Sequence, residues 1–228
     1  MNFSSAFFNS SIPLLNEGIK LTVTISVFSL IFGMLIGFIS CIMSISKIRI
    51  LKFISGTYIW IIRGTPMLVQ ALIIHLAMPQ FIQTFNPAFR IEPYTSGLIT
   101  LSLNAGAYLS EIFRGGITAV PKGQSEAARS LGMSKTKTML RVILPQAIKI
   151  SIPSMVNQFI ITIKDTSILS VIGLAEIANR AKQYVGSTYN YFATYVLVAI
   201  YYLVVISILM VVSRWLEKKL SYEHKDRS

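Results

Sequence analysis

Five apolar stretches, separated by polar segments, run along the chain. They are residues 21–45, 53–81, 94–113, 145–163 and 191–212. A hydrocarbon core of about 30 Å is crossed by about 20 residues of α-helix, and each stretch comes close to or exceeds that length. The pattern therefore predicts an all-α integral membrane protein with five transmembrane helices.

Two of the stretches carry residues that shape their helices. In 53–81, Pro66 lacks an amide donor and disfavours helix at Thr65, so we expect this span to break near residues 63–66. In 21–45, small residues recur at helical spacing, which predicts close packing against another helix. These residues are Ser26, Ser29, Gly33, Gly37, Ser40 and Ser44.

The two ends of the chain differ from the apolar stretches. Residues 1–18 mix aromatic and aliphatic residues with Ser and Asn, which predicts an amphipathic helix lying at the external membrane surface. No basic region precedes a short apolar core there, so we do not expect a cleaved signal peptide. Residues 217–228 are predicted to form a basic cytoplasmic tail.

Composition and charge placement support this reading and orient the chain. Hydrophobic residues make up 53% of the sequence and charged residues 13%, with a mean hydropathy of +0.62. Fifteen of the 21 Lys and Arg lie in three clusters that follow the first stretch, separate the third from the fourth, and follow the fifth. The clusters are Lys47, Arg49, Lys52; Arg114, Lys122, Arg129, Lys135, Lys137, Arg141, Lys149; and Arg214, Lys218, Lys219, Lys225, Arg227. This placement predicts an external N-terminus and a cytoplasmic C-terminus, and it argues against a nucleic-acid partner despite the net charge of +12.

The long loop 114–144 holds a short helix signal. We expect Ser125 to cap a helix that runs to Leu131, with Glu126 in its first turn and Gly132 ending it in the left-handed conformation. A helix this short is marginal alone, because nucleation is costly below about 12 residues. The loop is therefore either a docking element for another protein or an ordinary amphipathic connector.

The residues around that helix refine the docking interpretation. Ala127 and Ala128 form a small face that would permit close approach, while Glu126 and Arg129 would make charged contacts at the rim of a groove. After Gly132, we expect Ser134 to cap a second, basic and amphipathic helix that leads into the fourth span at Pro145.

The loop resembles the EAA loop of ABC importer permeases, whose pattern is E-A-A-x3-G-x9-I-x-L-P. Here Glu126-Ala127-Ala128 is followed by Gly132 and Pro145 at matching distances, with Val142 in place of the Ile. The segments RGTPMLVQ, AYLSEIFRGGI, GQSEAARSLGMS, ILPQAIK and KDTSILSVIGLAE are similar to polar amino acid uptake permeases and occur in the same order, and from the first to the last they span residues 63–176, about half of the chain.

The resemblance implies a type I ABC importer permease (MetI-like) fold, with the transmembrane domain at 19–216. It implies a permease subunit that moves a polar L-amino acid across the cytoplasmic membrane of a prokaryote by alternating access. Its partners would be an ATP-binding subunit, an extracytoplasmic solute-binding protein and a second permease subunit, identical or related. The residues implied to couple to the ATP-binding subunit are Ser125, Glu126, Ala127, Ala128, Arg129, Leu131, Gly132 and Pro145.

The chain carries no G-x-x-x-x-G-K-[ST] sequence, so we expect it to be a transport subunit and not an enzyme. ATP and Mg would be bound by the partner, and no cofactor is expected in this chain. The carried amino acid stays open among glutamine, arginine, histidine and cystine.

Polar residues within the apolar stretches are the candidates for a substrate path, because a charge at the bilayer centre costs at least about 2.5 kcal/mol. The candidates are Arg63, Thr65, Gln70, Asn104, Tyr108, Glu111, Ser154, Gln158, Thr162, Lys164 and Asp165. Asn104, Tyr108 and Glu111 share one helix face. The alternative for the charged candidates is a structural role, in which Glu111 pairs with Arg114, and Lys164 with Asp165 lies near the external interface.

Other chemistry is sparse. Cys41 and His75 are expected to be packed residues, and the two His and one Cys have no metal-ligand spacing, so no metal site is predicted. The alternative function is a self-contained, ion-coupled secondary transporter or channel, although such chains usually carry internal repeats. A membrane enzyme lacks a supporting His and carboxylate constellation.

Overall fold

The computed structural model describes the backbone of residues 3–225 and the side chains of residues 7–219. The predictions for the side chains of residues 1–6 and 220–228, and for the backbone of residues 1–2 and 226–228, therefore lie outside the described residues. Ten α-helices occur in the described part, together with π-helical turns at Ile73–Ala77 and Met139–Ile143 and a 3-10 segment at Thr166–Ile172. The α-helices are α1 (Phe3–Ile45), α2 (Arg49–Gly64), α3 (Met67–Leu72), α4 (Met78–Gln83), α5 (Pro93–Ala119), α6 (Lys122–Ser130), α7 (Lys135–Thr138), α8 (Leu144–Asp165), α9 (Ile177–Thr188) and α10 (Tyr191–Lys225).

Three helical runs in the described residues are long and apolar enough to cross a membrane: Phe7–Ile45, Lys135–Ile172 and Tyr191–Lys219. The pair Arg49–Gly64 and Met67–Gln83 meets the same test only when taken together, and its two parts meet at a bend of 105°. The expected break near residues 63–66 is confirmed. With 27 residues, α5 extends about 40 Å, which exceeds the thickness of the hydrocarbon core.

α1 does not divide at residue 18. The segment predicted as a separate surface helix continues without a break into the first apolar stretch. Its inner face explains the continuity, because Leu15 is fully buried and packs with Ile177, Ala181 and Val198 of α9 and α10. Tertiary packing, and not the membrane surface alone, therefore supports the start of α1.

Gly33 and Gly37 of the small-residue pattern in α1 lie against α5, whereas Ser40 contacts Ser55 of α2. A Cβ added at Gly33 would lie 2.9 Å from the Cβ of Ala105, and one added at Gly37 would lie 2.8 Å from the carbonyl oxygen of Gly106. Ser26, Ser29 and Ser40 are buried as well. The two helices therefore approach at backbone distance.

A second close approach joins α5 to α8. A Cβ at Gly116 would collide with Ser151 Oγ and would lie 2.7 Å from the carbonyl oxygen of Ala147. The hydroxyl of Ser151 donates to the carbonyl oxygen of Ile112 across the same contact, at 3.3 Å. α5 is thus held between α1 and α8.

Both π-helical turns precede a proline by two residues. Pro79 follows the turn Ile73–Ala77, and Pro145 follows the turn Met139–Ile143. A proline ring clashes with the carbonyl four residues earlier, and widening that turn relieves the clash without breaking the helix. The helix that contains the fourth apolar stretch therefore runs continuously from Lys135, and Pro145 lies inside it.

The segment between the fourth and fifth stretches contains α9, which the apolar pattern did not predict. The carboxylate of Glu176 accepts hydrogen bonds from the amides of Ala178, at 2.9 Å, and Asn179, at 2.7 Å, and so caps the first turn of this helix. The hydroxyl of Tyr202 in α10 donates to the same carboxylate, at 3.3 Å. The helix of the fifth apolar stretch, α10, begins at Tyr191, as expected, but continues past residue 212.

Candidate coupling helix and polar path

α6 begins earlier than the sequence indicated. The carbonyl oxygen of Pro121 accepts the first hydrogen bond, from the amide of Gln124 at 3.0 Å, and Lys122 is the first helical residue. Ser125 is therefore inside the helix and does not cap it. The helix starts here because the extended Pro121 presents its carbonyl at the N-terminus, where a proline needs no amide partner.

The end of α6 follows the prediction. Gly132 has φ of 82°, in the left-handed region. Its amide donates to the carbonyl of Arg129 at 3.0 Å, and the amide of Met133 donates to that of Ala128 at 3.1 Å. These two hydrogen bonds form a Schellman motif, which satisfies the last carbonyls and stops the helix.

Ala127 and Ala128 do not form one face. Ala128 is buried, whereas Ala127 is exposed, and α6 as a whole contacts the π-helical turn Met139–Ile143. Consecutive helical residues point about 100° apart, so one alanine fits α6 onto the protein and the other stays free. Glu126 and Arg129 are exposed as well, and Leu131 is 84% exposed at the end of the helix.

α7 starts at the predicted cap. Ser134 Oγ accepts a hydrogen bond from the amide of Lys137 at 3.3 Å, and the Thr138 hydroxyl donates to the carbonyl of Ser134 at 3.0 Å. Pro145, two turns further on, is exposed but lies in the helix that follows and not on the free face of α6. In the structure, Pro145 lies in the first turn of α8, directly after the π-helical turn.

The second candidate site lies at the bend between α2 and α3. Gln70 Nε2 is within hydrogen-bonding distance of the Ile62 carbonyl (2.7 Å), the Thr65 carbonyl (2.9 Å) and Thr65 Oγ1 (2.9 Å). Its Oε1 accepts from Asn104 Nδ2 at 3.4 Å. The buried Gln70 side chain therefore closes the end of α2 and ties the bend to α5.

Beside this bend, Arg63 reaches the polar face of α5. Its Nη1 lies 3.7 Å from Glu111 Oε2, and its guanidinium carbon lies 5.2 Å from the centre of the Tyr108 ring. Arg114 Nε and Nη2 donate to the two oxygens of Glu111 at 3.0 and 2.7 Å. The expected Glu111–Arg114 pair is confirmed, and the Glu111 carboxylate interacts with both Arg63 and Arg114.

The structure thus brings six of the eleven path candidates together, and the five on α8 are placed differently. Gln158 and Thr162 are buried, and the Thr162 hydroxyl donates to the carbonyl of Gln158 in its own helix, at 2.9 Å. Ser154 and Lys164 are exposed, and Asp165 is half-buried at the end of the helix. The predicted stripe on α8 therefore mixes inward and outward residues.

Two contacts across the broken span had no signal in the sequence. The Tyr58 hydroxyl donates to the carbonyl of Leu103 at 2.6 Å, and His75 Nδ1 lies 2.9 Å from Ser96 Oγ. His75 is half-buried, in keeping with a packed residue, and Cys41 is buried. No group of three or more His, Cys, Asp or Glu in the described residues is arranged to hold a metal ion.

Comparison with known proteins gives a consistent set of relatives. Residues 17–222 match the family described as binding-protein-dependent transport system inner membrane component. The chain is similar to the L-cystine transport system permease protein TcyB of Bacillus subtilis (strain 168), with 45% identity over 75% of this chain and 70% of that protein. It is also similar to the glutamine transport system permease protein GlnP of Escherichia coli (strain K12), with 38% identity over 83% of this chain and 84% of that protein.

A solved structure agrees with these relatives. A chain of an amino acid ABC transporter, crystallised with histidines, matches with a TM-score of 0.88 and 36% identity over 96% of this chain and 99% of that one. The resemblance to importer permeases found in the EAA loop is confirmed. The chain belongs to the family of binding-protein-dependent transport system inner membrane components.

Proposed function

We propose that this chain is the permease subunit of an ATP-driven importer for a polar amino acid. The observation that carries the proposal is the construction of α6: a rigid, capped helix that presents Glu126, Ala127, Arg129 and Leu131 outward. An exposed apolar residue flanked by charges is suited to insertion into a groove of a partner protein. The partner is an ATP-binding subunit, which binds ATP and Mg, because this chain lacks the phosphate-binding sequence.

The attachment of α6 supports a mechanical role. Val120 and Pro121 alone separate α6 from α5, and α6 also contacts the π-helical turn Met139–Ile143 that precedes α8. A force applied to α6 therefore acts on both helices, which are themselves locked at Gly116. We infer that closure of the ATP-binding subunits moves α5 and α8 together and switches the path between its two sides.

The membrane arrangement belongs to the same proposal. Five spans, with α5 and the bent pair counted, put the three basic clusters on one side, with the N-terminus outside and the C-terminus in the cytoplasm. The membrane is the cytoplasmic membrane of a prokaryote. A second permease subunit completes the path, and an extracytoplasmic solute-binding protein delivers the substrate.

The substrate is a polar L-amino acid. The relatives named above are permease proteins of L-cystine and glutamine transport systems, and these two amino acids share the α-carboxylate and the α-ammonium group. Arg63 is 43% exposed beside the bend and offers a guanidinium to the carboxylate, while Tyr108 and Glu111 offer an aromatic face and a negative charge to the ammonium group. We propose that these residues line the path, with Asn104, Gln70 and Thr65 fixing their geometry and the α8 candidates, from Ser154 to Asp165, continuing it.

The test is association of the purified chain with its ATP-binding subunit. Replacing Leu131→Asp should lower co-purification and the ATPase rate of the complex by at least tenfold, because the apolar end of α6 becomes charged. The matched control is Phe85→Asp, an equally prominent apolar residue, 79% exposed, in the loop at the far end of α5. Equal effects of the two changes, or none, would reject α6 as the docking element.

A further inference from the structure

An apolar cleft of about 680 Å³ opens between α1, α5 and α8, on the side of the molecule where α7 lies. Its walls include Met34, Leu35 and Phe38 of α1 and Ile148 of α8, and Phe113 and Ile117 of α5 form its floor. The volume lies within the range of roughly 300–1,000 Å³ that is typical of sites for small molecules.

The cleft faces away from the proposed path. Ile117 follows Tyr108 by nine residues, which at about 100° per residue places the two side chains on opposite faces of α5. A second permease subunit that completed the substrate path would contact the Tyr108 face of α5. The cleft, on the opposite face, would then be open to the lipid bilayer.

The length of the cleft matches one leaflet. Its α1 wall extends from Met34 to Ile45, which are eleven positions apart, or about 16 Å along the helix. Half of a hydrocarbon core of about 30 Å is about 15 Å. The long axis of the cleft is therefore suited to an extended acyl chain.

The end of the cleft carries positive charge. Among the residues that line it, all within the described part of the chain, only Lys135 is charged, and it is exposed. Lys47 comes two positions after Ile45, the last residue of α1 that lines the cleft. Basic groups at the mouth of an apolar pocket between membrane helices select an anionic headgroup.

We propose that the cleft is a binding site for an anionic phospholipid, with an acyl chain along α1 and α8 and the phosphate group beside Lys135. Occupancy would fill the space between α1 and α8 and support the base of α8, where α6 also packs. The site is independent of the coupling proposal, because lipid binding requires neither ATP nor a partner subunit.

The test uses the full chain in nanodiscs, with phosphatidylglycerol that carries a photoreactive diazirine on one acyl chain. Crosslinks located by mass spectrometry should fall on cleft residues such as Met34 and Met139. Leu35→Trp, which fills the cleft, should abolish them. Ile39→Trp should not, because Ile39 is exposed to the same 58% on α1 but does not line the cleft.

The charge is tested by titrating phosphatidylglycerol onto the delipidated chain and counting bound lipid by native mass spectrometry. Lys135→Gln should weaken binding about fivefold, the effect of one basic group at a membrane surface. Lys137→Gln should leave binding unchanged, since Lys137 lies outside the cleft. Equal labelling by a phosphatidylcholine probe, no effect of Leu35→Trp, or cleft crosslinks that join two copies of the chain would overturn the proposal.

Discussion

Arg63 and Glu111, 48 positions apart in the sequence, form an ion pair of 3.7 Å at the bend between α2 and α3. The bend makes this contact possible, because it ends α2 beside the middle of α5. Glu111 also binds Arg114, so its charge holds two guanidinium groups. The pair is partly exposed, as the proposed role of Arg63 in binding a substrate carboxylate requires.

Arg63→Lys should reduce amino-acid uptake by the assembled transporter. Lysine keeps the charge but loses the planar group that lies over Tyr108 and can bind a carboxylate through two nitrogens. Losing one charge-assisted hydrogen bond corresponds to roughly a ten- to hundredfold fall in rate. Initial uptake rates of labelled substrate in proteoliposomes provide the measurement.

The control for that change is Arg90→Lys, in the loop between α4 and α5. Arg90 donates only to the nearby carbonyls of Pro87 and Phe89 among the contacts described for it. Its replacement should leave uptake within about twofold of the wild type. Equal losses for both variants would remove Arg63 from the path.

Gln70→Met should destabilise the bend. The variant keeps the size of the side chain but loses the contacts to Ile62, Thr65 and Asn104, and a buried group left without its partner costs about 1–3 kcal/mol. The measurement is the thermal unfolding midpoint of the purified chain in detergent. Gln146→Met, which removes a single bond to the Val142 carbonyl, should lower the midpoint less, and the reverse order would contradict the assignment.

Gly132→Ala should loosen α6 without any steric clash. A Cβ at Gly132 meets nothing within 4 Å, but its φ of 82° costs a residue with a side chain about 1–2 kcal/mol. Gly123→Ala is the matched control, since Gly123 has the same open surroundings but no positive φ. Amide hydrogen exchange of residues 122–131 should accelerate only in the first variant, and equal exchange in both would show that the backbone conformation of Gly132 does not hold the helix.

Stability should depend on pH through Glu176. Burial raises the pKa of this fully buried carboxyl above its ordinary value of 4.5, although the amides of Ala178 and Asn179 and the Tyr202 hydroxyl oppose the shift. A raised carboxyl pKa contributes stability below the unfolded-state pKa, and the contribution is lost as the pH rises through the folded-state value. The unfolding midpoint of the wild type should therefore fall relative to Glu176→Gln as the pH rises above about 4.5. Glu126→Gln, an exposed position, should follow the wild type, and a constant difference between wild type and Glu176→Gln would be inconsistent with the burial of this charge.

Local rules predicted several features correctly. Pro66 indicated the bend because its ring constrains its neighbour whatever the tertiary fold, and Gly132 indicated the end of α6 because few other residues adopt the left-handed conformation. Gly33 and Gly37 correctly indicated the face of α1 that contacts α5. The separation of Ala127 from Ala128 could also have been predicted, since adjacent helical residues do not share a face.

Other features depend on contacts that the sequence does not reveal. The start of α6 depends on Pro121, and Ser125 was a plausible cap only in isolation. α9 has little apolar character of its own and is held by Glu176 and by packing on α1. Gln70 has the polar side chain expected of a residue in the substrate path. Its amide nitrogen, however, is hydrogen-bonded to the end of α2, and only the folded bend brings these two groups together.

Uptake of labelled cystine, arginine and glutamine tests whether this chain is the permease subunit of an ATP-driven amino acid importer. The proteoliposomes would contain this chain, its permease partner if it has one, the ATP-binding subunit and the solute-binding protein. We expect at least one of these amino acids to accumulate only when ATP and the ATP-binding subunit are both present, and we expect Leu131→Asp to abolish the accumulation. Accumulation by this chain alone, driven by an ion gradient and unaffected by Leu131→Asp, would contradict it and would identify a self-contained transporter.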